Sequence, residues 1–236
     1  MFLSLRDFTI ATPLILLLTF YSSFKDGKPT CEKYLLNSCL YLLSALCVFI
    51  SSVYYQRENK LVPEDKLSMF ALGGLLLSFV AIFTMYTTQN ILIKHGCLAF
   101  IVIFLGLVSD QFYKEFDEQL IDETLIRTSV LSGIALVIAV MFPHILKESF
   151  YTKIVYVFFF LVISHFIDII FFKSTHQVTF SYFFILIFFI FIMYDSKFIM
   201  QRAVTCKNNA DYVGGTLSIF LDLINLFQNL LVVGDN

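Results

Sequence analysis

The sequence predicts an all-α membrane protein, a polytopic helical bundle. Of its 236 residues, 58% are hydrophobic and only 14% charged, whereas a soluble domain runs at about 45–50% apolar and about 25% charged. The mean hydropathy is +0.83. The apolar residues also come in repeated solid runs of roughly 20, the length that crosses a hydrocarbon layer at about 1.5 Å per residue. Strands of a membrane barrel would show short alternating segments instead.

The first run, residues 2–24, holds Arg6 and Asp7 near its start and Pro13 in its middle. Its basic residue, short apolar centre and the small Ser22 and Ser23 fit a signal segment as well as a retained span. The second run covers 34–55 and follows Lys25, Lys28 and Lys33. The third, 67–88, contains Gly73-Gly74, a pair that lets helices approach closely. A fourth run ends at Ser109, with Lys94 and His95 at its head, where both read as interfacial side chains. From Asp110 to Glu123 the chain is acidic, with Lys114 alone opposing. This predicts a solvated loop, with a cation-attracting vestibule as the alternative; the spacing excludes an EF-hand. Runs five to eight cover 125–146, 151–172, 176–199 and 212–233.

Several functions lack support. A net charge of −2 argues against a nucleic-acid partner. Cysteines 31, 39, 47, 97 and 206 are odd in number, scattered and without a C-x-x-C. They read as small buried side chains rather than a disulfide framework or zinc site. The four histidines are dispersed, and no phosphate loop or hydrolase motif is present. No enzyme activity and no cofactor are expected. Lys and Arg number nine on the connectors 25–33, 89–95, 147–153 and 197–211 and seven on the other side, which weakly places the first group in the cytoplasm.

Ionisable residues inside spans carry the functional signal, because a charge there is costly and usually faces the bundle interior. Run six holds His165 and Asp168, three residues apart on one helical face. They read as an imidazole–carboxylate pair that fixes packing or relays protons. The last two runs hold Asp195 and Asp222. In the last, Gly215, Ser218, Asp222, Asn225 and Asn229 follow steps of 3, 4, 3 and 4 and so form one polar stripe. Lipid does not satisfy such a stripe, so it faces protein or water. Either it hydrogen-bonds neighbouring helices or it lines a polar pathway centred on Asp222. Arg202 shares a face with Asp195, seven residues away. Asp211 is placed to cap the last helix. Should Asp195 and Asp222 meet, they share a proton and titrate jointly.

The stretches IMYDSKFIMQRA and DYVGGTLSIFLDLINLFQNLL resemble the closing signature of the Bax-inhibitor (transmembrane Bax inhibitor motif) family. Tyr194-Asp195 matches its Tyr/Phe-Asp near the end of the penultimate span, with Ser196-Lys197 in place of Thr-Gln. Asp211-Tyr212 and the core from Phe220 to Phe227 match its last span. Leu146-Lys147-Glu148-Ser149-Phe150 and Glu32-Lys33-Tyr34 resemble connectors upstream. The resemblance implies seven family-type spans from residue 34 to 233, with residues 1–24 an extra N-terminal span or signal segment and 25–236 a single multi-span membrane domain.

The resemblance further implies a pH-sensitive calcium leak that modulates calcium stores and suppresses cell death. Asp195 and Asp222 match its di-aspartyl sensor, where calcium binds only in passing. The family's basic residue near the end of its second span has no match in Met85-Tyr86-Thr87-Thr88-Gln89; Lys94 and Arg202 are the candidate latch partners. The implied partners are the lipid bilayer, calcium ions, protons and other membrane proteins of cell-death signalling. The implied membrane is intracellular (ER or Golgi) for a eukaryotic or viral protein and the inner or plasma membrane for a bacterial one. Two rival readings are a non-transporting interaction protein and a proton-coupled carrier using His165, Asp168 and Asp222.

Overall fold

The computed structural model describes residues 5–25, 27–63, 66–173, 175–207 and 210–235. The side chains of Arg6 and Asp7 lie outside the description. Eight helices follow one another: α1 (Leu5–Ser23), α2 (Tyr34–Asn59), α3 (Leu67–Thr87), α4 (Ile91–Tyr113), α5 (Glu118–Met141), α6 (Glu148–Phe172), α7 (Gln177–Thr205) and α8 (Tyr212–Gly234). A two-residue hairpin, β1 (Phe24–Lys25) and β2 (Lys28–Pro29), separates α1 from α2. Among the described residues, the seven helices from α2 to α8 are long and apolar enough to cross a membrane.

Local chemistry sets the helix ends. Asn90 caps α4, its side chain accepting from the amides of Leu92 and Ile93 at 3.0 and 3.4 Å. Asp211 caps α8 as expected, accepting from the Gly214 amide at 3.3 Å. Each bond satisfies amide groups that the first helical turn leaves without partners. α2 and α6 stop where Lys60 and Lys173 turn left-handed, at φ 48° and 52°, a conformation more often taken by glycine.

The chain forms two compact units. The first comprises residues 1–115 and 203–220. In it α2 packs against both α1 and α4, and α3 packs against α4. α1 lies antiparallel along α2 through a ladder of polar side chains. Thr12 meets Ser51 at 2.9 Å, Thr19 meets Ser44 at 2.7 Å, and Ser22 donates to Asn37 at 2.6 Å. Between apolar helices such bonds are worth about 0.6 kcal/mol each, so the ladder fixes register more than it adds stability. Gly106 provides the closest α2–α4 contact. A Cβ there would lie 2.6 Å from the Ser52 Cβ and 2.7 Å from the Phe49 carbonyl. Of the Gly73-Gly74 pair, only Gly74 serves close packing, against the Phe104 ring; nothing lies within 4 Å of a Cβ at Gly73.

The second unit comprises residues 116–202 and 221–236. Ala135 of α5, Phe184, Phe188 and Ile192 of α7 and Leu226 of α8 form its core. A smaller cluster of Ala139, Leu146 and Tyr194 lies beside the connector before α6.

Two expectations need correction. The acidic stretch 110–123 is not one loop, because α4 runs to Tyr113 and α5 begins at Glu118. Asp110 is 1% exposed and ion-paired to Arg57 at 3.1 Å and Lys114 at 3.0 Å. Two cations on one carboxylate offset its desolvation, so the helix continues through it. The cysteine reading also fails: Cys31 and Cys206 form a disulfide, and Cys39 is exposed rather than buried. The pairing joins residues 175 positions apart, a distance at which local spacing carries no signal.

The Gly106 contact yields a test. Gly106→Ala should destabilise the detergent-solubilised protein by roughly 1–3 kcal/mol, the usual range for overpacking. Gly73→Ala should leave the thermal midpoint unmoved. Equal midpoints for the two variants would contradict the α2–α4 packing.

Candidate functional site

α7 and α8 carry the two aspartates at matched depth. Asp195 lies ten residues back from Thr205, and Asp222 ten residues on from Tyr212. At about 1.5 Å per residue, each sits about 15 Å from the connector that joins the helices. That is half the thickness of a hydrocarbon layer of about 30 Å. Two antiparallel helices joined by a short connector bring such positions to the same level.

Asp195 and Asp222 are each only 9% exposed, and their carboxyls are close neighbours in the second unit. Two carboxylates side by side repel, so such a pair is most stable when the two carboxyls share one proton. The structure thus brings together the two acids singled out in the sequence.

The turn that presents Asp195 is anchored on both sides. Tyr194 is fully buried and donates its hydroxyl to the Lys147 carbonyl at 2.8 Å. Lys197 donates to the Leu146 carbonyl. Both acceptors belong to the connector before α6. Tyr151 packs on Tyr194 with ring centroids 5.0 Å apart. These anchors escape sequence reading because the acceptors are backbone carbonyls, which no residue type marks.

α8 has no exposed residue from Tyr212 to Val233, so its polar stripe faces protein along its length. Ser218, Asn225 and Asn229 are half-buried. The Asn225 and Asn229 amides donate to carbonyls of their own helix, those of Leu221 at 2.7 Å and Asn225 at 2.8 Å. Among the described residues neither amide donates to another helix; Asp222 is the stripe residue that meets a neighbouring helix, at Asp195. Thr216, off the stripe and 1% exposed, is the most buried hydroxyl of α8.

The sequence model of a family described as "Inhibitor of apoptosis-promoting Bax1" matches residues 31–233. The chain belongs to the Bax-inhibitor family. No curated protein and no solved structure matches it. The matched stretch takes in α2 to α8, the seven apolar helices, and α1 precedes it.

The other residues singled out in this Bax-inhibitor chain fall elsewhere. Lys94 pairs with Asp211 at 2.8 Å at the head of α8, so its charge is already engaged there. Arg202 is exposed in the last turn of α7, about 10 Å along the helix from Asp195.

The expected His165–Asp168 pair is replaced by another. The 3%-exposed Asp168 takes a 2.7 Å contact from the His176 Nδ1 and a 3.3 Å bond from the His176 amide. Three residues of separation put His165 and Asp168 on one face but do not make their side chains converge. His176, on the connector into α7, approaches Asp168 with ring and backbone together. His165 instead packs its ring on Phe180 and Phe184, at 5.0 and 5.9 Å.

His176→Ala should therefore destabilise by roughly 1–3 kcal/mol, the cost of leaving a buried acceptor without its partner. Pairing with Asp168 is checked by the His176 imidazole resonances, which should move in Asp168→Asn while those of His165 stay. The reverse pattern would restore the sequence-based pairing.

Proposed function

We propose that this Bax-inhibitor family member passes calcium across its membrane under proton control, with Asp195 and Asp222 as sensor and waypoint. The observation that carries this reading is the pair of neighbouring acids buried in the second unit. With one proton shared, the pair holds α7 and α8 together. Loss of that proton leaves two negative charges side by side in a poorly solvated place, where they repel strongly. The separated pair offers a cation two carboxylates, and the Asn225 and Asn229 side-chain carbonyls lie further along the same stripe. Calcium takes oxygen ligands of both kinds. A site with so few ligands binds weakly, as conduction requires. The family description, which names inhibition of a death-promoting protein, supports a role in suppressing cell death.

The sign of the pH effect follows from which state holds the proton. The proton belongs to the hydrogen-bonded, closed arrangement, so acid favours closure and flux rises with pH. A one-proton step permits a change of at most about tenfold per pH unit. Purified protein in calcium-loaded liposomes should show this rise. Asp222→Asn should flatten it, because the amide donates to Asp195 at every pH. Flux indifferent to both pH and this substitution would refute the mechanism. Absent flux, with cell-death suppression intact in Asp195→Asn and Asp222→Asn, would instead support a non-transporting interaction protein.

A further inference from the structure

Cys31 and Cys206 are the two cysteines outside the helices, and they are the two that pair. Cys39, Cys47 and Cys97 lie within α2 and α4 and stay unpaired. Cys31 precedes α2, and Cys206 follows α7. The six spans between them, an even number, return the chain to the same side of the membrane. A dense polar corner surrounds the bond. Asn37 donates to the Glu32 carbonyl and to the Tyr212 hydroxyl, both at 3.0 Å. Tyr212 donates to the Thr30 carbonyl, and Tyr34 donates to the Asp211 carbonyl at 3.0 Å. The Lys94–Asp211 ion pair closes the same corner. Backbone and side chains thus converge on one arrangement of Cys206, Asp211 and Tyr212 against the start of α2, and the disulfide is its covalent part.

Disulfides persist in oxidising compartments and are reduced in the cytosol. We infer that the membrane face carrying Cys31 and Cys206 lies in an oxidising compartment, the lumen of the secretory pathway or the cell exterior. One further crossing, α8, then puts the C-terminal end on the reducing, cytosolic side. This reverses the orientation suggested by nine basic residues against seven. That margin is two residues, and several of the charges counted are already neutralised. Lys25 pairs with Glu32 and Lys94 with Asp211 on one side, and Arg57 and Lys114 pair with Asp110 on the other. A chemical bond that needs an oxidant outweighs so small a difference.

The test uses the full-length chain, with an epitope at its C-terminus, expressed in secretory-pathway membranes. Free thiols are first blocked with N-ethylmaleimide under denaturing conditions. The protein is then reduced and labelled with a polyethylene glycol maleimide. Three cysteines should be blocked and two, Cys31 and Cys206, should gain the label after reduction. Cys206→Ser should lose both added labels, since its former partner is then blocked in the first step. In sealed microsomes a protease added outside should remove the C-terminal epitope. Blocking of all five thiols without reduction would overturn the inference, and so would an epitope protected from the protease. Calcium flux enters neither readout, so the result stands apart from the proposed function.

Discussion

The structure depends on one constraint: a polar group among apolar helices must find its partner within the protein. Asp195 and Asp222, each 9% exposed, face that constraint as neighbours of like charge. An ion pair would bury two charges and require their attraction to offset two desolvation costs. An acid–acid hydrogen bond buries at most one charge and carries a proton in place of the counterion. The absence of Lys or Arg from Met85 to Gln89, together with Lys94 engaged at Asp211, fits such a site.

The same rule orders the remaining polar groups, with different solutions at different depths. Near helix ends the solution is charge: Asp110 takes Arg57 and Lys114, and Asp168 takes His176. Along α1 and α2 it is the hydroxyl ladder from Thr12 to Asn37. Asn37, fully buried, satisfies its donor and its acceptor with Glu32, Tyr212 and Ser22. On α8 the asparagines turn back on their own helix. The mid-depth acids stand apart because each has a group of like charge as its neighbour. Every other partnership named here has permanent donors, apart from the imidazole of His176.

The spans were legible in the sequence because burial in lipid imposes length and composition together. The runs at 34, 67, 151 and 212 begin within three residues of their helices. Legibility failed where charge interrupts a helix without ending it. α5 begins at Glu118, seven residues before its apolar run, because its first two turns carry the exposed Glu118, Gln119, Asp122 and Glu123. α7 continues past the run, which ends at 199, to Thr205 through Arg202. The aspartate pair was legible because α8 alternates polar steps of three and four, a pattern that only one helical face explains. The Tyr194 and Lys197 anchors, the His176 partner and the Cys31–Cys206 bond were not. Each depends on where a connector returns, and the period of a helix says nothing about its connectors.

α7 ends at Thr205 and α8 begins at Tyr212, each ten residues from its aspartate across a short connector. It spaces Asp195 and Asp222 at equal depth, and its length alone makes their meeting a matter of register. A shift of one residue in either helix turns its carboxyl about 100° around the helix axis, enough to break a side-chain hydrogen bond. Register here is therefore held from both ends of α7's last turns and α8's first. Tyr194 and Lys197 fasten α7 to the 146–147 carbonyls. Asp211, Tyr212 and Cys206 fasten the start of α8 and its connector within the first unit. With the register held, the proton decides whether the two carboxyls attract or repel. That is the condition under which a buried acid pair responds to pH rather than drifting with the packing around it.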